Sequence, residues 1–100
     1  MNSGKKWLLG IGESKSPVEI GYCEDCSDKQ HFHKEVNEYY IVTEGSFEIL
    51  INGRKTSVTK GQVLFVEPGE IHGITKTSPD LKCFLVKWPS GKEDKFFGKK

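Results

Sequence analysis

A chain of 100 residues, 35% hydrophobic and 29% charged, has the composition of one soluble globular domain with a limited core. Its formal net charge of +1 leaves no basic face to recruit nucleic acid or an anionic membrane, so neither is expected as a partner. No apolar run approaches the roughly 20 residues that span a bilayer.

The basic pair Lys5 and Lys6 followed by an apolar stretch has the look of an export signal. Glycines break that stretch and Glu13 ends it, too early for a signal-peptide core. The expected compartment is cytoplasmic, and three cysteines in such a chain argue against a structural disulfide framework. The expected organisation is a single domain over 1–100, with a barrel core over about 18–88 and a tail over 89–100.

Strand signals follow one another along the chain. Short strands are predicted at 7–11 and 18–22, separated by a Ser- and Pro-containing loop. Cys23 and Cys26 come next in a C-x-x-C pair. Beside His31 and His33 the pair has the makings of a Cys2His2 zinc site, and C-x-x-C is also a redox spacing. The zinc reading leaves Glu38 and His72 unexplained, and no thioredoxin-like βαβ context supports the redox one. Two incidental loop cysteines are the favoured reading.

The segment 38–43 is aromatic and β-branched and stops at Glu44-Gly45. Segment 46–51 runs into Asn52-Gly53, a strong hairpin signal because both residues tolerate φ > 0. Segment 55–59 returns antiparallel, 62–66 ends at Pro68-Gly69, and 71–75 and 81–88 complete the series. Turns recur every eight to twelve residues or so, the pattern of an all-β sandwich or barrel.

Tyr40, Val42, Phe47, Ile49, Phe65 and Ile74 are the expected barrel core, and Cys83 a small buried hydrophobe beside Leu81 and Leu85. Glu48, Lys82, Glu67 and Glu70 read as solvated faces or turns. Adjacent exposed phenylalanines are unfavourable, so Phe96 and Phe97 are expected to pack on the barrel or on a partner chain. Segments 38–43 and 81–88 are apolar on both parities. A barrel interior covers one face only, so the other needs a second sheet layer or a partner subunit, and a homodimer is the expectation.

The histidines carry the chemistry. His31 and His33, at i and i+2, share a face only on an extended strand. Glu38 follows past a bend, and His72 lies beyond the turn Glu67-Pro68-Gly69-Glu70. Imidazoles with one carboxylate form a mixed N/O donor set that suits Fe, Mn, Ni or Zn. The plain alternative is three unrelated histidines at polar strand ends.

These residues resemble the two motifs of the cupin superfamily. His31, His33, Glu38 and Gly45 fit G-x5-H-x-H-x4-E-x6-G from the first histidine on, with Asp25 at the leading glycine. Gly61, Gly69 and His72 fit G-x5-P-x-G-x2-H-x3-N, with Glu67 at the proline and Lys76 at the asparagine. All three histidines of the chain fall on ligand positions. The resemblance implies an all-β double-stranded β-helix, a jelly-roll-like cupin barrel, often dimeric through its outer strands. It also implies one divalent transition metal held by His31, His33, Glu38 and His72.

Three neutral imidazoles and a carboxylate leave a divalent complex at +1, and an octahedral ion keeps two positions for a small-molecule ligand or substrate. The family's members include dioxygenases, isomerases, decarboxylases and proteins that only bind a ligand. Two functional expectations therefore stand side by side. One is a metalloenzyme on a small oxygenated organic substrate. The other is a non-catalytic module that binds a sugar-like ligand or stores metal. Tyr40, two residues after Glu38 on the same strand face, is the candidate catalytic group.

Overall fold

The computed structural model describes residues 6–9, 16–89 and 95–97. Among these residues are ten strands: β1 (Lys6–Leu9), β2 (Glu19–Cys23), β3 (His31–His33), β4 (Asn37–Glu44), β5 (Ser46–Ile51), β6 (Arg54–Thr59), β7 (Val63–Val66), β8 (His72–Thr77), β9 (Lys82–Trp88) and β10 (Lys95–Phe97). They form two antiparallel five-stranded sheets, ordered β1-β2-β9-β4-β7 and β10-β3-β8-β5-β6. The fold is an all-β double-stranded β-helix. No helix among the described residues is long and apolar enough to cross a membrane.

Alternation with period two decides which side chains enter the barrel. On β4, Glu38, Tyr40 and Val42 are buried, while Tyr39 and Ile41 face outward. On β9 the buried parity carries Cys83 and Leu85, in register with Val42 and Tyr40. From the facing sheet Phe47, Ile49, Val58 and Ile74 complete the interior. Asn52, at φ 50°, and Gly53 form the expected two-residue turn, and Ile51 pairs with Arg54 across it.

One expectation about burial is corrected. Phe65 is outside the core, 42% exposed. β7 turns Val66 inward, so its neighbour Phe65 points out and stacks on Tyr39 at 4.8 Å between ring centroids. Within the tail over 89–100, one further strand is described. Lys95–Phe97 form β10 and pair with β3, and Phe96 stacks on Phe32 at 5.5 Å. Phe96 thus packs against the barrel, as one of the two expectations had it, while Phe97 stays 63% exposed with its ring 6.2 Å from that of His31. Residues 90–94 and 98–100 of that tail, and residues 10 and 11 of the first predicted strand, lie outside the described residues.

A second correction concerns sulfur. Cys23 and Cys26 are joined in a disulfide, where unlinked loop cysteines were expected. The chain turns back directly after β2 and places both residues in the interior rather than in a solvated loop.

Candidate metal centre

β3 is three residues long and sits between β10 and β8, with His31 in register with His72. His31 and His33 share its inward face, and Phe32 lies on the other face under Phe96. The approach of the chain to β3 depends on Gly73. A Cβ there would stand 3.0 Å from the Cα and N of Gln30, backbone atoms with little room to give. The missing side chain lets the segment before β3 run close against β8.

The four side chains singled out in the sequence come together. One ligand atom from each of His31, His33, Glu38 and His72 lies within 4.8 Å of the others, and all four residues are buried. The His31 and His72 rings are 4.3 Å apart between centroids, and those of His31 and His33 5.2 Å.

Backbone carbonyls orient two of the rings. His31 Nδ1 donates to the Lys29 carbonyl at 2.8 Å and His72 Nδ1 to the Glu70 carbonyl at 3.0 Å. Holding Nδ1 in this way fixes the ring and leaves Nε2 for the interior, the arrangement typical of metal-ligating histidines. His72 Nε2 lies 2.8 Å from Glu38 Oε1, and His33 Nε2 lies 3.4 Å from the same oxygen.

The electrostatics match this geometry. Burial by itself pushes the Glu38 carboxyl up, but hydrogen bonds from His33 and His72 outweigh it and hold the group well below the usual carboxylate range. Burial opposes charge on His72 as well, yet its hydrogen bond to Glu38 raises its pKa above the ordinary value. His31 makes no carboxylate contact as short as that, the nearest being Asp28 Oδ2 at 3.8 Å from its Nδ1. Burial lowers it to about 4 despite the Lys29 carbonyl, so it is a neutral donor at neutral pH.

Tyr40 lies on the same strand face as Glu38, buried, with its ring 5.5 Å from that of Phe47. Burial, then the charges of Glu38 and Asp28, push its phenol well above 10. It is therefore a protonated hydroxyl, suited to donating a hydrogen bond and poorly suited to acting as a base.

Sequence reasoning missed Asp28. Its backbone N–H donates to the Ile74 carbonyl at 3.2 Å, its Oδ1 accepts from the Ile74 N–H at 3.0 Å, and its Oδ2 stands 3.8 Å from His31 Nδ1. It ties the segment before β3 to β8 and backs the His31 ring. An aspartate three residues before a histidine carries no distinctive signal of that role.

The cysteines form a group of their own. The sulfur atoms of Cys23, Cys26 and Cys83 lie within 4.8 Å of one another, so the Cys2His2 reading does not hold. Burial pushes the Cys83 thiol up to about 11.

Comparison with known proteins agrees with the fold. A structure from Planctomyces limnophilus superposes with a TM-score of 0.79 at 20% identity, over 97% of this chain and 85% of that one. The Clostridium difficile EutQ protein gives 0.69 at 24% identity over 87% of this chain, which spans 62% of the EutQ chain's length. Streptomyces PAC13, solved with uridine, gives 0.74 at 14% identity over 99% of this chain and 88% of that one. A search of curated sequences returns no match. The family profile described as Cupin domain matches residues 23–87, and on that match the chain belongs to the cupin family.

Proposed function

We propose that His31, His33, Glu38 and His72 hold one divalent transition metal, Mn, Fe, Ni or Zn, and present it to a small oxygenated organic molecule. The observation that carries this reading is the convergence of four buried donors, with the Nδ1 atoms of His31 and His72 tied to carbonyls. The mixed N/O chemistry of the set fits a borderline divalent ion better than calcium or magnesium. A metal there would supply Lewis-acid polarisation of a ligand oxygen.

The chain's own residues do the rest. Asp28 and the Lys29 and Glu70 carbonyls keep the donors oriented, Glu38 supplies the negative charge, and the Tyr40 hydroxyl offers a hydrogen bond on the same strand face. Uridine, bound in the Streptomyces neighbour, is a small polyhydroxylated molecule of the class proposed as ligand.

A second reading, a non-catalytic module that binds a sugar-like ligand or stores metal, is favoured by one observation. The candidate acid-base group, Tyr40, is held protonated, which suits recognition better than proton transfer. The two readings part on turnover of a bound ligand.

The chain is also proposed to act as a cytoplasmic homodimer. Tyr39, Val63, Phe65 and Trp88 are exposed on the outer face of the β1-β2-β9-β4-β7 sheet, the apolar patch expected of a subunit interface. The site is tested by elemental analysis of the purified chain beside His72→Ala. The reading expects about one metal per wild-type chain and loss of it in a still-folded variant. Full occupancy in His72→Ala would remove His72 from the site.

A further inference from the structure

The disulfide and the third cysteine lie on the sheet that carries Glu38, towards the other end of β4 from that residue, while the histidines sit on the facing sheet. Cys23 closes β2, and Cys83 is its direct register partner on β9. Cys26 folds back onto both. Each of the three is at most 1% exposed, in one cluster with Val42, Leu81 and Leu85. On β4, Val42 pairs with Cys83 while Glu38 pairs with Lys87. Four residues of strand, about 13 Å, thus separate this cluster from the histidine site.

Small buried cysteines serve well as packing residues. Packing alone does not require a third sulfur, Cys83 from a remote strand, to meet the Cys23–Cys26 pair within 4.8 Å.

We propose that Cys23, Cys26 and Cys83, with the disulfide reduced, form a second metal site that takes one thiophilic divalent cation of the zinc class. Soft thiolates select such ions, and a C-x-x-C pair with a distant cysteine supplies three of the four ligands a tetrahedral zinc-class ion takes, the fourth being open to water or another donor. Charge favours a divalent ion. Three thiolates with a monovalent cation would leave −2 in an apolar cluster, against −1 with a divalent one.

A surface cavity lies beside residues that neighbour the cluster in sequence. This open cavity of about 330 Å³ is lined by Glu24 and Glu44, by Asp80 and Leu81, and by Lys82. Glu24 adjoins Cys23 and Lys82 adjoins Cys83, and the acidic lining favours approach of a cation.

The disulfide is then the oxidised, metal-free state of the same three residues. A thiol reductant opens it: Cys23–S–S–Cys26 and two R–SH give two cysteine thiols and one R–S–S–R, two electrons passing from the reductant to the disulfide. Binding of the cation to the three thiols displaces their three protons. In a reducing compartment the metal-binding state prevails.

The test uses the full chain, stripped of metal under nitrogen and divided into disulfide-intact and phosphine-reduced samples. Each is titrated with Zn²⁺, and with Co²⁺ as a spectroscopic probe. The reduced sample should bind about one equivalent more than the intact one, whether or not the histidine site also loads. Only the reduced sample should show a near-ultraviolet sulfur-to-cobalt charge-transfer band.

Cys83→Ala should abolish that band and weaken the extra site by at least about 100-fold, beyond the ~10–100-fold cost of losing an outer-shell partner. If that core variant does not fold, Cys26→Ser reports the same loss. His72→Ala should leave the band in place, which separates failure of this proposal from failure of the histidine site. Equal uptake by reduced and intact protein, or extra uptake without a sulfur band, would overturn the proposal.

Discussion

His72 Nε2 lies 2.8 Å from Glu38 Oε1 while its Nδ1 donates to the Glu70 carbonyl 3.0 Å away. An acceptor at each nitrogen favours a proton on both, and the Glu38 hydrogen bond raises the pKa of the ring above its ordinary value although burial opposes it. The Nε2 proton stands where a metal would bond. Loading the site near neutral pH should therefore release about one proton per ion. Calorimetry in buffers of different ionisation enthalpy measures this release, and zero release would place the metal away from His72.

Asp28 is predicted to position rather than ligate. Asp28→Asn keeps the side-chain oxygen that accepts from the Ile74 N–H but removes the charge behind His31. Metal affinity should fall by about 10-fold and in Asp28→Ala by up to about 100-fold, with the barrel still folded by circular dichroism. Unchanged affinity in both variants would leave Asp28 a purely structural turn residue.

The metal-free protein should lose stability as pH falls from about 6.5 towards 4. His31 is held at about 4 when folded, below its ordinary 6.5, so across this window the unfolded chain takes up a proton that the folded chain refuses. His72 works in the opposite sense. Its folded pKa is raised, so its contribution is fully present below 6.5 and fades only as pH rises through the folded value. Glu38 adds to the loss once pH falls into the ordinary carboxylate range, where the unfolded chain takes up a proton that the folded carboxylate refuses. Thermal midpoints of chelated protein should fall on acidification, and the fall should flatten in His31→Gln.

The outer face should behave as an interface. Tyr39 and Phe65 stack there at 4.8 Å, and Val63 and Trp88 extend the patch. Light scattering at micromolar concentration should give twice the 11.3 kDa chain mass, and Phe65→Lys should return it to one chain. A wild-type mass of one chain would contradict the dimer.

Much of this arrangement was legible in the sequence because it rests on local rules. Asn52-Gly53 specifies a tight hairpin whatever surrounds it, and the i, i+2 spacing of His31 and His33 puts both on one strand face. Strand parity sorted Tyr40 from Tyr39 and Cys83 from Phe84. Phe65 was misplaced because segment 62–66 is apolar on both parities, and only the pairing of β7 with β4 decides which parity turns inward.

The carbonyls of Lys29 and Glu70 leave no mark in side-chain identity, and the role of Asp28 follows from the crossing of two distant segments. The meeting of Cys26 with Cys83 likewise depends on β2 pairing with β9, a contact between remote parts of the chain.

The central claim is that one divalent metal sits among His31, His33, Glu38 and His72. Anomalous-difference maps from crystals grown after loading with a single metal, Mn²⁺ or Zn²⁺, test it most directly. The account predicts one peak within about 2.0–2.2 Å of three imidazole nitrogens and a Glu38 oxygen. A map with no peak among these four residues at full loading would contradict it.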